Sequence, residues 1–309
     1  MRTRIFALVA AMVLAAGACA TRRLPAVRRV PTTEAALPVA LAYPAREDAE
    51  VTPARNCVRW ESVWSTDPLD GATRGLKTSI TRWSHPERKS QITLIAAVHV
   101  GDPGYYDSIR TLLHRYDRVL VEGLRESPDG PAVDPKDKKA FLETIAVAKL
   151  IAEGLDLVLQ RDRLEHGELW RLADADLGTF CAELRRRGAQ FPSESADFQK
   201  GVELLTELFE DARSDDPSLE RQEIWARIGR ILAARSDEDA FDEVAITFRN
   251  QFVWNALEEE LAAVPPPRSI GLVYGGAHME DLHMRLVGAG WRCRDLHWIP
   301  AWGLVRRDP

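Results

Sequence analysis

Residues 94–123 read LIAAVHVGDPGYYDSIRTLLHRYDRVLVEG, and their pattern decides the fold. Gln91 to His99 (QITLIAAVH) is apolar on both sides, with Ile92, Leu94 and Val98 on one face and Ile95 and Ala97 on the other, as a central strand requires. Asp102 is placed to cap a helix, and Pro103 suits its first turn. Tyr106, Ile109, Leu112, Leu113 and Tyr116 recur at helical spacing before Arg118 to Glu122 (RVLVE) gives a second buried strand. Strand, helix and strand in so short a stretch form a βαβ unit whose two strands run parallel. One strand ends on His99 and the other on Glu122, an imidazole and a carboxylate.

Upstream, Cys57 to Trp64 is rich in β-formers and Leu76 to Trp83 (LKTSITRW) alternates, so both are expected as strands at an edge of the sheet. Downstream, Leu124 to Pro267 reads as almost wholly helical, over Phe141–Gly154, Leu177–Arg187, Phe198–Ala212, Leu219–Arg235 and Phe241–Val264. Ser269 to Tyr274 (SIGLVY) returns as a short strand, Met279 to Val287 as a helix stopped by Gly288 and Gly290, and Trp291 to Trp298 as a last strand. The predicted fold class is α/β: a mixed, partly parallel sheet flanked by helices, with a large helical insertion at about 124–267 between the βαβ unit and the C-terminal strands. One domain over 57–309 is expected.

The chain has 309 residues, 45% apolar and 28% charged, which is ordinary globular composition. Its start, MRTRIFALVAAMVLAAGAC, has Arg2 and Arg4, an apolar stretch from Ile5 to Leu14 and small residues before Cys19, so residues 1–18 read as an export signal too short to span a bilayer stably. Ala16-Gly17-Ala18-Cys19 resembles a bacterial lipobox, with Ala16 where Leu is preferred, which makes Cys19 a candidate for lipidation; secretion after the A-x-A of Ala16 to Ala18 is the alternative. Residues 19–56, with Pro25, Pro31, Pro38, Pro44 and Pro53, read as a Pro/Ala-rich tether. A lipoprotein of the bacterial cell envelope facing the periplasm, or a secreted protein, is therefore expected. Net charge is -6, and Arg22, Arg23, Arg28 and Arg29 belong to the tether, so the folded remainder is more acidic still and a nucleic-acid partner is not expected. With Cys19 set aside, Cys57, Cys181 and Cys293 allow at most one bridge, Cys57 with Cys293 being one pairing. No CxxC pair, GxSxG elbow, HExxH helix, P-loop or GxGxxG turn is present, which removes the usual thiolate-zinc, serine hydrolase, zincin, NTPase and dinucleotide readings.

In open α/β sheets, ligand sites form beyond the carboxyl ends of parallel strands. His99, Glu122 and the loop Gly275-Gly276-Ala277-His278 all occupy that position. Two imidazoles and a carboxylate are a common ligand set for a catalytic divalent ion with an open position for water or substrate, so His99, Glu122 and His278 are candidate metal ligands. Each also has a structural alternative: His99 bonding a loop carbonyl, Glu122 at a helix N-terminus, His278 capping its helix.

The helix Phe241–Val264 carries two apolar stripes, Phe241, Val244, Ala245, Phe248 and Phe252 on one side and Ile246, Val253, Trp254, Leu257 and Leu261 on the other. Such a helix is buried, and the Arg249-Asn250 pair within it needs acceptors, supplied by Glu122, by a substrate anion or by a core ion pair elsewhere. Asp174 and Asp176 in WRLADADL precede a helix, and Asp176 reads as its N-cap. Tyr106 falls on the packing face of its helix, whereas Tyr105 points off it and is a candidate to line a cleft and bind substrate. His166 and His283 are expected at the surface.

These motifs, in this order, resemble the TraB/GumN-like family, related to the pheromone-shutdown protein PrgY and the Tiki proteases. That family carries two GxxH motifs with an acidic residue ending the strand after the first. The late motif is intact at Gly275 to His278, while the early one reads Ala96-Ala97-Val98-His99, with Ala where the family has Gly. Glu122 matches the acidic position, Phe248-Arg249-Asn250 resembles an Arg-Asn element, and LWRLADADL resembles a W..aDl segment; Asp176, within that stretch, is a second candidate for substrate binding. The resemblance, over most of residues 80–300, implies the fold shared with ChaN-like haem-binding lipoproteins and erythromycin esterases. It implies metal-dependent hydrolysis of an amide or ester in a peptide or small molecule, with a Mn, Co or Zn ion at His99, Glu122 and His278 and with Arg249 and Asn250 orienting substrate or ligands. A haem- or metal-binding lipoprotein without catalysis is the alternative.

Overall fold

The computed structural model describes residues 58–61, 75–164, 167–211 and 240–303. The expected export signal, Cys19, the tether, Cys57, His166 and the helix at Leu219–Arg235 lie outside these residues.

Along the chain, β1 (Val58–Glu61), β2 (Gly75–His85), β3 (Arg88–Ala97) and β4 (Val100–Gly101) lead into α1 (Pro103–Leu113) and β5 (Arg118–Val121). Then come α2 (Pro135–Leu155), β6 (Val158–Leu159), the single turn α3 (Gln160–Arg163), β7 (Trp170–Leu172), α4 (Leu177–Arg187) and α5 (Ala196–Asp211). A helical turn at Ala240–Asp242 and a π-helical segment at Glu243–Phe248 run straight into α6 (Arg249–Ala262), and β8 (Ser269–Gly275), α7 (Met279–Gly288) and β9 (Arg292–Gly303) complete the order.

The main sheet is mixed, as expected: β1-β2-β3-β8-β5-β7, with β9 along the other side of β2. Strands β3, β8, β5 and β7 are parallel neighbours, whereas β1, β3 and β9 pair with β2 antiparallel. The βαβ unit has its parallel strands, but β8 lies between them, pairing Ala97 with Gly275 on one side and Val121 with Val273 on the other.

Three expectations change. Leu76 to Trp83 is not an edge, because β9 covers the far side of β2 from Gly75 to Ser84. The insertion is not wholly helical: β7 extends the sheet beyond β5, and β6 pairs with β4. Val98 leaves the alternation because β3 ends at Ala97, and its side chain joins the cluster of Ile95 and Ala97.

The two faces of the sheet are covered separately. Ile95, Ala97, Val119, Val121 and Val273 pack with α1, α2, α4 and α5, while Ile92, Leu94, Ala96, Leu120, Leu272 and Tyr274 pack with α6 and α7. Both stripes of the long C-terminal helix find a core. Phe241, Val244 and Ala245 join the first cluster, and Val253, Ala256 and Leu257 the second. Ile246, expected in the second stripe, packs with the first, since the π-helical segment breaks the 3.6-residue phase there. His283 is buried on the inner face of α7 rather than exposed, its Nε2 3.2 Å from Thr81 Oγ1 and its ring against Trp83.

Candidate functional site

Four parallel strands deliver a polar residue just past their carboxyl ends: His99 after β3, His278 after β8, Glu122 after β5 and Asp174 after β7. The first three meet at Gly275. A Cβ placed on that glycine would lie 3.3 Å from Glu122 Oε2 and 3.5 Å from both His278 Cδ2 and His99 Cε1. Glycine there keeps open the point on which the three side chains converge.

Glu122 is fully engaged. Its Oε1 accepts from Arg249 Nη2 at 2.7 Å, and its Oε2 accepts from the Gly275 backbone N–H at 2.6 Å. Burial by itself would raise the pKa of this carboxyl. The fields of His278, when its ring carries a second proton, and of Arg249, with the His278 contact and the field of a protonated His99, outweigh burial and hold it well below the usual carboxylate range. Arg249 has no solvent exposure, and burial would lower its pKa, but Asp174 and Glu122 raise it further above its ordinary value. It donates Nε to Asp174 Oδ1 at 3.0 Å and Nη2 to Asp174 Oδ2 at 2.6 Å, the forked geometry that makes Arg-carboxylate pairs strong. Asp174 also accepts from the Gly123 N–H at 2.8 Å, which ties the ends of β5 and β7. One guanidinium thus faces two carboxylates, leaving the group net negative.

Asn250 holds His278. Its Nδ2 donates to the His278 carbonyl at 3.1 Å and to Asp281 Oδ2 at 2.8 Å, so its Oδ1 must be the atom facing His278 Nδ1 at 2.7 Å. The proton of that imidazole therefore sits on Nδ1. Its Nε2 is buried without a hydrogen-bond partner and faces Glu122 Oε1 at 3.4 Å. The Tyr274 ring packs edge-on against His278 at 5.4 Å, and the Tyr274 hydroxyl donates to the Ala173 carbonyl. His99, 6% exposed, meets Gln160 Oε1 through Nδ1 at 3.0 Å.

The sequence-predicted residues divide cleanly. His99, Glu122, His278, Arg249 and Asn250 come together. Tyr105 does not point off its helix into a cleft: it is buried, and its hydroxyl lies 2.9 Å from Thr78 Oγ1 and 3.2 Å from the Ala96 carbonyl, because the face of α1 against the sheet is wide enough for both tyrosines. Asp176 caps α4, accepting from the Thr179 N–H at 3.0 Å, and does not join the cluster. Asp102 occupies the N-cap position of α1 without a side-chain capping bond. The Ala96 methyl goes to the core under α6 and α7, so alanine fits where the resembling family has glycine.

Gln160 and Asp281 are not among the residues the sequence singles out, and Asp174 is given no role in the site there. Asp174, named in the sequence only as preceding a helix, carries the signal that flags Glu122, a carboxylate just past a strand, but WRL lies between two predicted helices and is too short to read as a strand. Gln160 likewise ends an apolar run, Leu157 to Leu159.

Comparison with family models, curated proteins and solved structures finds no match.

Cys181 is a buried free thiol, and Cys293 is buried with Sγ 3.5 Å from the Asp295 carbonyl oxygen. Among the described residues no helix is long and apolar enough to cross a membrane.

Proposed function

We propose that this edge is the centre of a hydrolase of the TraB/GumN type that works with a divalent cation. The observation that carries the reading is the orphaned Nε2 of His278. With the proton on Nδ1, this nitrogen turns a lone pair toward an anionic carboxylate oxygen at 3.4 Å, an arrangement that calls for a cation or a proton between them. The donor chemistry suits a cation. His99 and His278 are each tied at Nδ1 to an amide oxygen, as metal-ligating histidines usually are, and Glu122 is held ionised beside them. Among the described residues no three His, Cys, Asp or Glu side chains form a ready set of ligands, so His99, His278 and Glu122 would have to shift to hold an ion together, with water or substrate completing its coordination. When bound, such an ion would polarise an amide or ester carbonyl and acidify its water.

The remaining roles belong to the chain itself. Arg249 keeps Glu122 anionic and oriented, and Asn250 keeps the proton of His278 on the side away from Glu122. The side chains of Glu122, His278, Arg249 and Asp174 have no exposure, and His99 as a residue is 6% exposed against 5% for Glu122, so a narrow peptide segment or small molecule would have to reach a cluster that lies beneath the surface. Lipidation at Cys19 would put this chemistry at the envelope surface.

The test is a thermal shift with Mn, Co or Zn on the wild type and on a His99→Ala, His278→Ala double variant, with metal analysis of both. A metal-dependent rise confined to the wild type is expected. Stoichiometric metal retained by the double variant would overturn the reading. Haem binding has less support, because an axial imidazole needs open space for a porphyrin and the His278 ring is fully enclosed. A Soret shift abolished by His99→Ala would favour it.

A further inference from the structure

His99 and His278 are gripped in the same way by residues far from them in sequence. Asn250 takes both the ring and the main chain of His278: Oδ1 meets Nδ1 at 2.7 Å and Nδ2 donates to the His278 carbonyl at 3.1 Å. Gln160 does the same to His99, with Oε1 on Nδ1 at 3.0 Å and its backbone N–H donating to the His99 carbonyl at 2.9 Å. The second grip depends on the short β4-β6 ladder, in which Val100 pairs with Leu159 and sets Gln160 alongside His99. Gln160 is buried, opens the single turn α3, and has no contact with the Glu122-Arg249-Asp174 group among the bonds above. A buried glutamine in a four-residue helix that closes on an imidazole is costly unless the contact is used.

We propose that Gln160 is a positioning residue: by accepting a hydrogen bond from His99 Nδ1 it fixes the tautomer with the lone pair on Nε2, matching what Asn250 does to His278. Both rings then carry the proton on the same nitrogen, and both border the space at Gly275, His278 through Cδ2 and His99 through Cε1. In water a neutral histidine favours the opposite tautomer, with the proton on Nε2, so the pairing with Gln160 has to select against the default. The consequence for cation binding rests on the function proposed above, but the tautomer itself is measurable with no metal present.

The experiment is a long-range proton-nitrogen correlation spectrum of the full chain labelled with 15N-histidine, in the presence of a chelator, with His99→Ala used to assign the His99 ring signals. The wild type is expected to show a protonated Nδ1 and a bare Nε2 at His99. Gln160→Ala should shift His99 toward the Nε2-protonated form, and Gln160→Glu, which keeps an acceptor at that position, should restore the wild-type pattern. Titration with Zn2+ or Co2+ by calorimetry should show affinity weakened about 10- to 100-fold in Gln160→Ala and recovered in Gln160→Glu. His99 protonated on Nε2 in the wild type, or a pattern indifferent to Gln160→Ala, would overturn the inference whatever the metal does. Tautomers that follow Gln160 in a protein that binds neither cation would uphold it and remove the hydrolase reading instead.

Discussion

Arg249 is the residue on which the edge depends most. It is fully buried between Glu122 and Asp174, and removing one partner of a buried ion pair costs about 3–5 kcal/mol. Arg249→Met should therefore lower unfolding free energy by at least about 3 kcal/mol, read from urea midpoints, because two carboxylates are left buried without their counter-charge. Glu122 adds a pH dependence of known sign. Its folded pKa lies below the unfolded value of about 4.3, so on acidification the unfolded chain takes up the proton first. Its stabilising contribution is complete above about pH 5 and falls away below it, and Glu122→Gln should flatten that part of the curve of melting temperature against pH. Gly275→Val would fill the meeting point of His99, Glu122 and His278, and is expected to abolish any metal-dependent thermal shift while leaving all three side chains in the sequence. Burial pushes the Cys181 thiol up to about 12, so it should stay unmodified by an alkylating reagent at neutral pH until the protein unfolds.

At the scale of elements, strand and helix periodicity made most of the architecture readable. Ile92, Leu94, Ile95 and Ala97 announced a central strand, and the two stripes of the long helix announced burial on two sides, because both patterns come from side-chain direction alone. What could not be read was partner choice. Trp170 to Leu172 is a strand only because β5 offers it an open edge, and three residues carry too little periodicity to say so. For the same reason Asp174 reads only as a residue before a helix, while Glu122, after a longer apolar run, reads as a candidate ligand. The strand β8 illustrates the packing constraint directly: a Cβ on Gly271 would come within 2.8 Å of the Tyr116 ring, so Gly271→Ala should cost about 1–3 kcal/mol in unfolding free energy, unlike a typical surface change.

Across the whole molecule, the site is the product of one topological fact, the placing of β8 between β3 and β5. The residues that meet there were legible as candidates because each follows an apolar run, but the sequence does not say which strands are neighbours, and convergence on Gly275 needed the strand order. That order also has a temporal side. During synthesis His99 and Glu122 leave the ribosome some 150 residues before Ser269, and until β8 arrives the facing edges of β3 and β5 have no partner in each other's register. The last parallel strand to be made therefore closes the sheet and completes the polar cluster in a single event, so a nascent chain lacking it would hold two unpaired edges and no site at all.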